Sequence, residues 1–288
     1  MCYNTLMNAT TLRQQLAERG LAPNKRFGQN FLIDEDILDA IVDAAELTER
    51  DTVLEIGPGT GALTHRLAAR AGRLVAVEID KGLSGFLAEQ FADNPRVEIL
   101  NADILKTDLS SLFAEELSAG RGAVKVVANL PYYITTPILL SLLPKDDLFS
   151  RFVVMMQREV ADRMQADPGS KDYGALSLAV QYYALPEIVT LVPPGAFYPP
   201  PEVTSAVLRL DRHNVPPVSV KDPDRMFALI SAAFGKRRKT LSNAIAGAPQ
   251  LQISAEQVRS ALDQMNLDPN TRGETLSLSD YAALSDLL

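Results

Sequence analysis

The sequence predicts an α/β domain followed by a small all-helical C-terminal domain. Between about residues 50 and 157, short runs rich in Val, Ile and Leu alternate with amphipathic stretches, which is the pattern of parallel strands and crossover helices. A proline-rich segment over residues 192–202 ends this pattern, and the residues after Asp211 carry helix signals only. The 288 residues suffice for one large and one smaller domain.

The predicted strands of the α/β domain each run into a polar or glycine-rich loop. These strands are Thr52–Ile56, Leu74–Glu78, Val97–Asn101, Val124–Asn129 and Phe152–Gln157. Helices are expected to begin near Ala62, Lys81, Ser110 and Thr136. Because ligands of open parallel sheets bind outside the carboxyl ends of the strands, the sequence predicts the functional site in these loops.

The rest of the chain is predicted to hold one more strand and then only helices. The alternating segment Val203–Leu210 is expected to close the sheet as an edge hairpin. Expected helices follow at Pro223–Phe234, Arg238–Ala246, Ala255–Gln264 and Ser279–Leu287, with Ser254 and Ser279 as N-caps. The sequence therefore predicts one domain over residues 1–211 and a helical domain over residues 212–288.

The composition is that of an ordinary globular protein, with 47% hydrophobic and 22% charged residues. The single cysteine, Cys2, excludes a disulfide framework within the chain and a cysteine-based metal site. The N-terminal residues lack the pattern of a secretory signal, and no apolar run has the length of a membrane span. We therefore expect a cytoplasmic protein with no membrane partner.

The net charge of -8 argues against a nucleic-acid partner, but the charge is distributed unevenly along the chain. An acidic protein is a poor non-specific ligand for phosphate backbones, which bind mainly Lys and Arg. The negative charge lies mostly in residues 1–204, however, whereas residues 205–288 are nearly neutral. They contain an uninterrupted basic run, Lys236, Arg237, Arg238 and Lys239, which is either a solvated face or an RNA contact.

A glycine-rich loop follows the first predicted strand. Gly57, Gly59 and Gly61 alternate with other residues, so the backbone there can approach a ligand closely. The spacing departs from the G-x-G-x-x-G dinucleotide pattern because Ala62 takes the place of the last glycine, which disfavours a nicotinamide cofactor. The alternative is a tight strand-to-helix turn with no ligand.

Two acidic residues follow the next two predicted strands. Glu78 ends a strand some twenty residues after the glycine loop, where a ribose-binding carboxylate belongs. Asp103 follows the third strand and could accept a hydrogen bond from an exocyclic amine of a base. The structural alternatives are a solvated strand end for Glu78 and a turn former for Asp103. Neighbouring Asp80 is expected to be a helix N-cap.

The fourth strand ends in Asn129-Leu130-Pro131-Tyr132, which is the most specific signal in the sequence. Asn supplies an amide acceptor, Pro fixes a turn, and Tyr supplies a flat face on which a base can stack. These groups suit an aromatic amine. The alternative is a strand end with a proline turn and a buried tyrosine.

Together these residues resemble the S-adenosylmethionine-dependent rRNA adenine-N6 dimethyltransferases. Residues 25–32 resemble the cofactor-covering segment of that family, and residues 197–206 resemble its proline-rich segment, so the resemblance covers nearly the whole chain. It implies a Rossmann-like class I methyltransferase sheet of seven, mostly parallel, strands. It also implies that S-adenosyl-L-methionine is the methyl donor and that no metal is needed.

The resemblance implies a role for each matched residue. Asn30 and Leu32 would line the methionine end of the cofactor. The other expected cofactor contacts are Gly57 and Gly59 at the backbone wall, Glu78 at the ribose, Asp103 at the adenine amine and Asn129 at the junction with the target base. The target amine would bond to Asn129 and to the carbonyl of Leu130 or Pro131, while Tyr132 and Phe197 would stack on the base. No residue is assigned as a general base, and His65 and His213 are expected at the surface.

The implied partner is 16S rRNA in the small (30S) ribosomal subunit or its precursor. The resemblance is to the housekeeping type, which dimethylates two adjacent adenines near the 3′ end of that RNA and takes part in ribosome biogenesis. Lys25, Arg26 and the basic run at residues 236–239 would contact RNA phosphates. We expect a monomer.

Three alternatives remain open at this point. An Erm-type enzyme would perform the same chemistry on large-subunit 23S rRNA, and the chain departs from the housekeeping pattern at Tyr133, where that pattern has Asn. A ribosome-assembly factor could keep the fold and the cofactor site without depending on methylation. A small-molecule methyltransferase is disfavoured by Asn129–Tyr132 and by the added basic domain.

Overall fold

The computed structural model describes residues 9–24, 28–119, 124–145, 147–236 and 239–288. The described residues up to Ala161, together with Pro186–Arg212, form one compact unit, and Asp162–Leu185 with His213–Leu288 form a second. None of the helices in these ranges has the length and apolar character needed to cross a membrane.

Nine strands lie in the described residues, seven of them in one sheet. They are β1 Phe31–Leu32, β2 Thr52–Ile56, β3 Arg73–Glu78, β4 Val97–Asn101, β5 Val124–Asn129, β6 Phe149–Gln157, β7 Ala184–Val192, β8 Phe197–Tyr198 and β9 Ser205–Arg212. The large sheet has the order β4-β3-β2-β5-β6-β9-β7, and the short strands β1 and β8 pair separately. Strands β4, β3, β2, β5 and β6 are parallel, and β9 is antiparallel to β6.

The α-helices of the described residues connect and follow these strands. They are α1 Ala9–Glu18, α2 Glu35–Ala44, α3 Ala62–Arg70, α4 Lys81–Gln90, α5 Leu109–Leu112, α6 Ala114–Ala119, α7 Thr135–Leu142, α8 Arg158–Gln165, α9 Ala175–Tyr183, α10 Pro223–Phe234, α11 Leu241–Ala246, α12 Ala255–Gln264 and α13 Leu278–Leu287. The predicted fold class, a mostly parallel seven-stranded α/β sheet with a helical C-terminal region, is confirmed.

The position of the last strands differs from the prediction. Strand β9 was expected at the edge of the sheet, but it lies between β6 and β7, and β7 is the edge strand that the sequence analysis missed. The reason is that β7 contains Pro186 and leaves residues on both faces partly exposed, so it lacks the buried apolar run of a central strand. Strands β3 and β6 also begin earlier than predicted, at Arg73 and Phe149.

The main apolar core fills the space between the sheet and the helices beside it. Buried residues of β2 and β3 pack with Leu38 and Ile41 of α2 and with Leu67 of α3. Strands β2, β3 and β5 are buried along nearly their whole length, which is why their sequences are continuous apolar runs. This packing holds the carboxyl ends of β2, β3, β4 and β5 at one edge of the sheet.

A network of ion pairs links Glu46, which follows α2, to strands β6, β7 and β9. The guanidinium of Arg151 lies 2.5 Å from a carboxylate oxygen of Asp211 and 2.7 Å from one of Glu46. Arg209 joins Asp211 and Glu187 to the same network. Because several charges share hydrogen bonds here, the network should stabilise the fold more than isolated surface pairs do.

Replacing Arg151 with methionine is expected to lower the free energy of unfolding by about 1.5–3 kcal/mol, the usual contribution of hydrogen bonds to charged groups. The Arg151 side chain is only 18% exposed. Arg70→Met is the matched control, because Arg70 and its partner Asp43 are 47% and 67% exposed and exposed pairs contribute less than about 1 kcal/mol. Urea unfolding of both variants measures the difference, and equal losses would contradict the network.

Helix α1 and strand β1 pack within the first unit. Leu12 and Leu16 of α1 form an apolar cluster with Phe31 and Leu83. The guanidinium of Arg19 lies 4.6 Å from the centre of the Phe86 ring on α4. Strand β1 pairs with β8, which places Phe31 and Leu32 beside Tyr198 and Phe197.

The second unit is helical and larger than predicted. The sequence placed residues 162–185 in a domain over 1–211, but Asp162–Leu185 belongs to the same compact unit as His213–Leu288. Tyr173, Leu178 and Tyr182 share one buried apolar cluster with those helices, and the Tyr173 hydroxyl donates a hydrogen bond of 2.8 Å to the Leu276 carbonyl. Burial of these large side chains explains the difference in boundary.

The helix ends of the second unit are partly as predicted. Ser254 caps α12, as expected, through a capping box with Gln257. The predicted cap Ser279 is wrong, because Ser277 caps α13 and shares a capping box with Asp280. Helix α11 begins at Leu241; its predicted start, Arg238, lies outside the described residues.

Candidate functional site: a pocket at the carboxyl edge of the sheet

A pocket with an empty volume of about 1010 Å³, partly open to solvent, lies at the carboxyl ends of the parallel strands. Among the residues that line it are most of the predicted site residues: Asn30, Leu32, Gly57, Gly59, Glu78, Asp103, Asn129, Leu130, Pro131 and Tyr132. The tertiary structure thus brings together residues from four strand ends and the N-terminal segment.

The glycine loop forms one wall of the pocket. Gly59 has a φ of +60°, and a Cβ at this position would lie 3.1 Å from the Phe31 ring, so only glycine fits without strain. Gly61 has a different role, because its Cβ would lie 2.6 Å from a methyl group of Leu87. The third glycine therefore serves helix packing, while Gly57 and Gly59 leave the backbone open to the pocket.

Glu78 is buried at the end of β3 with its carboxylate in the pocket wall. One carboxylate oxygen accepts a hydrogen bond of 3.0 Å from the Gly59 amide, and the other accepts one of 2.9 Å from the Asp80 amide. Burial raises the pKa of Glu78, and these amides oppose that shift. Asp80 caps α4, as predicted. Glu78 thus joins the glycine loop to the next strand and still has free lone pairs for a ligand.

Asp103 follows β4 and lines the pocket. One of its oxygens accepts a hydrogen bond of 3.0 Å from the Leu105 amide, and the other lies 3.5 Å from the Lys106 ammonium. Asp103 therefore fills the turn-forming role that was its structural alternative. Its place in the pocket wall also keeps the proposed contact with a base amine available.

Glu55 is a buried carboxyl group in the pocket wall that the sequence analysis did not assign. It is 1% exposed, and its Oε2 has no hydrogen-bond partner among the described residues. Burial, with the nearby charge of Glu78, raises the pKa of Glu55 to about 8. The sequence feature that could have identified Glu55 is its position two residues before Gly57, the first glycine of the loop.

Glu55 is expected to make folding stability depend on pH. Its pKa is about 8 in the folded protein against 4.5 for the free side chain. Between these values the unfolded chain has lost this proton and the folded chain keeps it, so stability falls as pH rises. Glu55→Gln should remove this contribution, and its stability relative to the wild type should rise across that window in urea unfolding. Parallel pH profiles for the two proteins would contradict this role of Glu55.

The end of β5 presents Asn129 and two backbone carbonyl groups to the pocket. The Asn129 amide nitrogen donates a hydrogen bond of 3.1 Å to the Asn30 carbonyl, and no described residue donates to its side-chain oxygen. The Pro131 carbonyl already accepts hydrogen bonds from the Ile134 amide and the Thr135 hydroxyl. The geometry therefore favours Asn129 Oδ1 and the Leu130 carbonyl as the acceptors for an amine.

Tyr132 is held by a residue that the sequence analysis missed. Its hydroxyl lies 2.5 Å from the Ser205 hydroxyl, and Ser205 is fully buried at the start of β9. Burial raises the pKa of Tyr132, so the phenol stays neutral. Only the pairing of β9 with β6 brings Ser205 to this position, which is why its spacing in the sequence carried no signal.

Phe197 does not lie where the stacking prediction needs it. Its side chain is 3% exposed, belongs to the main apolar core and is absent from the pocket lining. The pairing of Phe197 with Leu32 in the β1–β8 ladder explains the burial. In this conformation Phe197 is the core aromatic residue that was its structural alternative, and stacking on a base would require its ring to be uncovered.

The predicted basic residues are only partly described. Lys25, Arg26, Arg237 and Arg238 lie outside the described residues. Lys236 donates a hydrogen bond of 3.3 Å to the Gly247 carbonyl at the end of α11, so it has a structural partner. Lys239 is exposed.

The two histidines are partly exposed, which is consistent with the expected surface position, and each has a polar contact. His65 contacts the Gln90 side chain at 2.9 Å and lies against the Phe91 ring, and His213 contacts the Gln181 carbonyl at 3.1 Å. Neither lines the pocket. Within the described ranges, no group of three or more His, Cys, Asp or Glu side chains is placed to hold a metal ion.

The sheet order, the glycine loop and the buried acid at the end of the next strand define the class. They are the features of a class I S-adenosylmethionine-dependent methyltransferase fold. Residues 20–284 match the family model described as ribosomal RNA adenine dimethylase, and the chain belongs to this family.

Curated relatives agree with the family model over nearly the whole chain. The ribosomal RNA small subunit methyltransferase A of Alkaliphilus metalliredigens is 51% identical over 262 residues, which cover 91% of this chain and 90% of that protein. The protein of the same name from Anoxybacillus flavithermus is 46% identical over 287 residues, which cover 99% of this chain and 97% of the relative.

Solved structures of two related enzymes share the fold. A dimethyladenosine transferase from Plasmodium falciparum has a TM-score of 0.74 at 25% identity, with 88% of this chain and 95% of that chain covered. The 23S rRNA methyltransferase ErmE has a TM-score of 0.67 at 25% identity, with 90% and 99% covered. The Erm-type alternative is the less supported one, because the relatives near 50% identity are small-subunit enzymes.

Proposed function

We propose that this chain uses S-adenosyl-L-methionine to dimethylate the N6 amines of two adjacent adenines near the 3′ end of 16S rRNA, with a role in ribosome biogenesis. The observation that carries this proposal is the pocket, where a buried acid and a glycine loop meet an Asn129 side-chain oxygen to which no described residue donates. The names of the curated relatives support the choice of the small subunit.

The pocket residues fit a nucleoside cofactor. Glu78 would bind the ribose hydroxyls, Gly57 and Gly59 would let the backbone approach, and Asp103 would bind the adenine amine. Asn30 and Leu32 would line the methionine end. When bound, S-adenosyl-L-methionine supplies an activated methyl group on a sulfonium, so the protein needs to contribute orientation and electrostatics and no metal.

Asn129 and Leu130 would activate the target amine. The lone pair of an adenine amine is delocalised into the ring, which makes it a poor nucleophile. Hydrogen bonds from the amine to Asn129 Oδ1 and the Leu130 carbonyl favour a pyramidal nitrogen and stabilise the charge that develops in the transition state. The nitrogen then releases a proton to water, so this scheme uses no general base.

Tyr132 would hold the flipped base in the pocket. Extruding a base costs a few kcal/mol, which stacking on an aromatic ring offsets. The hydrogen bond to Ser205 orients the Tyr132 ring for this role. Phe197 could stack on a base as well only after RNA binding had exposed its ring.

We infer that the second unit and the basic residues contact the rRNA. Lys239 is exposed, and Lys25, Arg26, Arg237 and Arg238 would add phosphate contacts, with Lys236 contributing less because of its carbonyl partner. Each lost phosphate contact reduces the salt dependence of binding. We also infer a cytoplasmic monomer that acts on the 30S subunit or its precursor.

The test is transfer of labelled methyl from S-adenosylmethionine to undermethylated small subunits, with large subunits as the control. Dimethyladenine at adjacent positions of the small-subunit rRNA is the expected result. Label in the large subunit would indicate an Erm-type enzyme instead. Tight binding to small subunits without transfer would indicate an assembly factor that does not depend on methylation.

A further inference from the structure

Tyr133 is an aromatic residue at the opening of the pocket, and the packing of the fold gives no reason for an aromatic side chain there. It lines the pocket, yet its side chain is 55% exposed. No described residue forms a hydrogen bond with its hydroxyl. Tyr132 beside it is anchored by Ser205, and the Phe31 ring is buried, so Tyr133 is the pocket aromatic with a freely accessible ring.

The Tyr133 ring lies next to Gly28. A Cβ built on Gly28 would lie 3.5 Å from Cδ1 and 3.8 Å from Cε1 of Tyr133. Gly28 has a φ of +59°, a conformation that favours glycine, and because it lacks a Cβ it leaves this side of the ring open. The ring is thus positioned at the mouth but not covered.

We propose that Tyr133 is a substrate-positioning residue that stacks on the nucleobase next to the adenine held in the pocket. This proposal rests on the proposed function, because two adjacent adenines are substrates in turn. When one of them occupies the pocket, the other lies one nucleotide away, at the mouth. Unstacked RNA bases bind exposed aromatic rings by stacking.

A stacking role predicts which properties change on substitution. Tyr133→Ala should weaken RNA binding by about 5–150-fold, the range that corresponds to one base–aromatic stack. Tyr133→Phe should bind like the wild type, because the ring stacks and the hydroxyl does not take part. Cofactor affinity and the rate at saturating RNA should change little, since Tyr133 is distinct from the amine acceptors Asn129 and Leu130.

The experiment measures equilibrium binding of an RNA hairpin with two adjacent unpaired adenines and, separately, cofactor binding by calorimetry. Leu140→Ala is the matched control, because Leu140 is also exposed, at 41%, on the next helix and outside the pocket lining. The expected result is weaker hairpin binding for Tyr133→Ala alone. Unchanged hairpin binding, an equal loss in Tyr133→Phe, or an equal loss of cofactor affinity would overturn the proposal.

The two proposals fail separately. The wild-type transfer assay on small subunits tests the proposed function and does not involve Tyr133. Steady-state kinetics on the same particles should then show a raised KM with a retained kcat for Tyr133→Ala. A lowered kcat with an unchanged KM would place Tyr133 in the chemical step and overturn the stacking role.

Discussion

Asn129→Ala is expected to reduce the rate of methyl transfer by about 10²–10³-fold, the usual effect of removing one preorganised polar group from a transition state. The side-chain oxygen of Asn129 has no donor among the described residues, so it is available to the target amine. Loss of the amide nitrogen also removes the hydrogen bond to the Asn30 carbonyl, which should weaken cofactor binding by only about 0.5–1.5 kcal/mol.

Single-turnover transfer at saturating cofactor and small subunits isolates this effect from binding. Asn270→Ala is the matched control, because Asn270 lies in an exposed turn of the second unit. A variant with the wild-type rate constant would show that Asn129 does not act on the amine. A variant rescued fully by more cofactor would show that its role is limited to holding the N-terminal segment.

Glu78→Gln is expected to raise the Kd for S-adenosyl-L-methionine by about 10–150-fold, which corresponds to about 1.5–3 kcal/mol for hydrogen bonds to a charged group. In the wild type the two carboxylate oxygens of Glu78 accept hydrogen bonds from the backbone amides of Gly59 and Asp80. In the variant, the NH2 group of the new glutamine replaces one of these oxygens, and it cannot accept such a bond. The substitution therefore disturbs both the ribose contact and the position of the glycine loop.

Calorimetric titration of the cofactor measures this loss. Glu98→Gln is the control, because Glu98 lies on the neighbouring strand β4, is exposed and pairs only with Arg73 among the described residues. We expect the transfer rate of Glu78→Gln to recover at high cofactor concentration. A Kd equal to that of the wild type would exclude Glu78 as the ribose ligand.

Local patterns in the sequence determined the central part of the fold. The strands β2 and β5 have the predicted bounds, because a strand buried on both faces must be a continuous apolar run, which is visible without a structure. The bounds of β4 are also as predicted, although β4 is a partly exposed edge strand. Strand β7 was not visible in this way. Its alternating exposure and Pro186 belong to an edge strand, and only the pairing of β9 with β6 decides that the edge is there.

The sequence by itself determined the chemistry of the pocket and the family, because Asn129–Tyr132, Glu78 and the glycine loop are short local patterns. The tertiary structure alone decided which of these groups are free. Long-range pairing buries Phe197 and anchors Tyr132 on Ser205, and the packing leaves Tyr133 exposed. Burial and hydrogen bonding between segments distant in the chain depend on how strands pair and pack, and no local pattern encodes them.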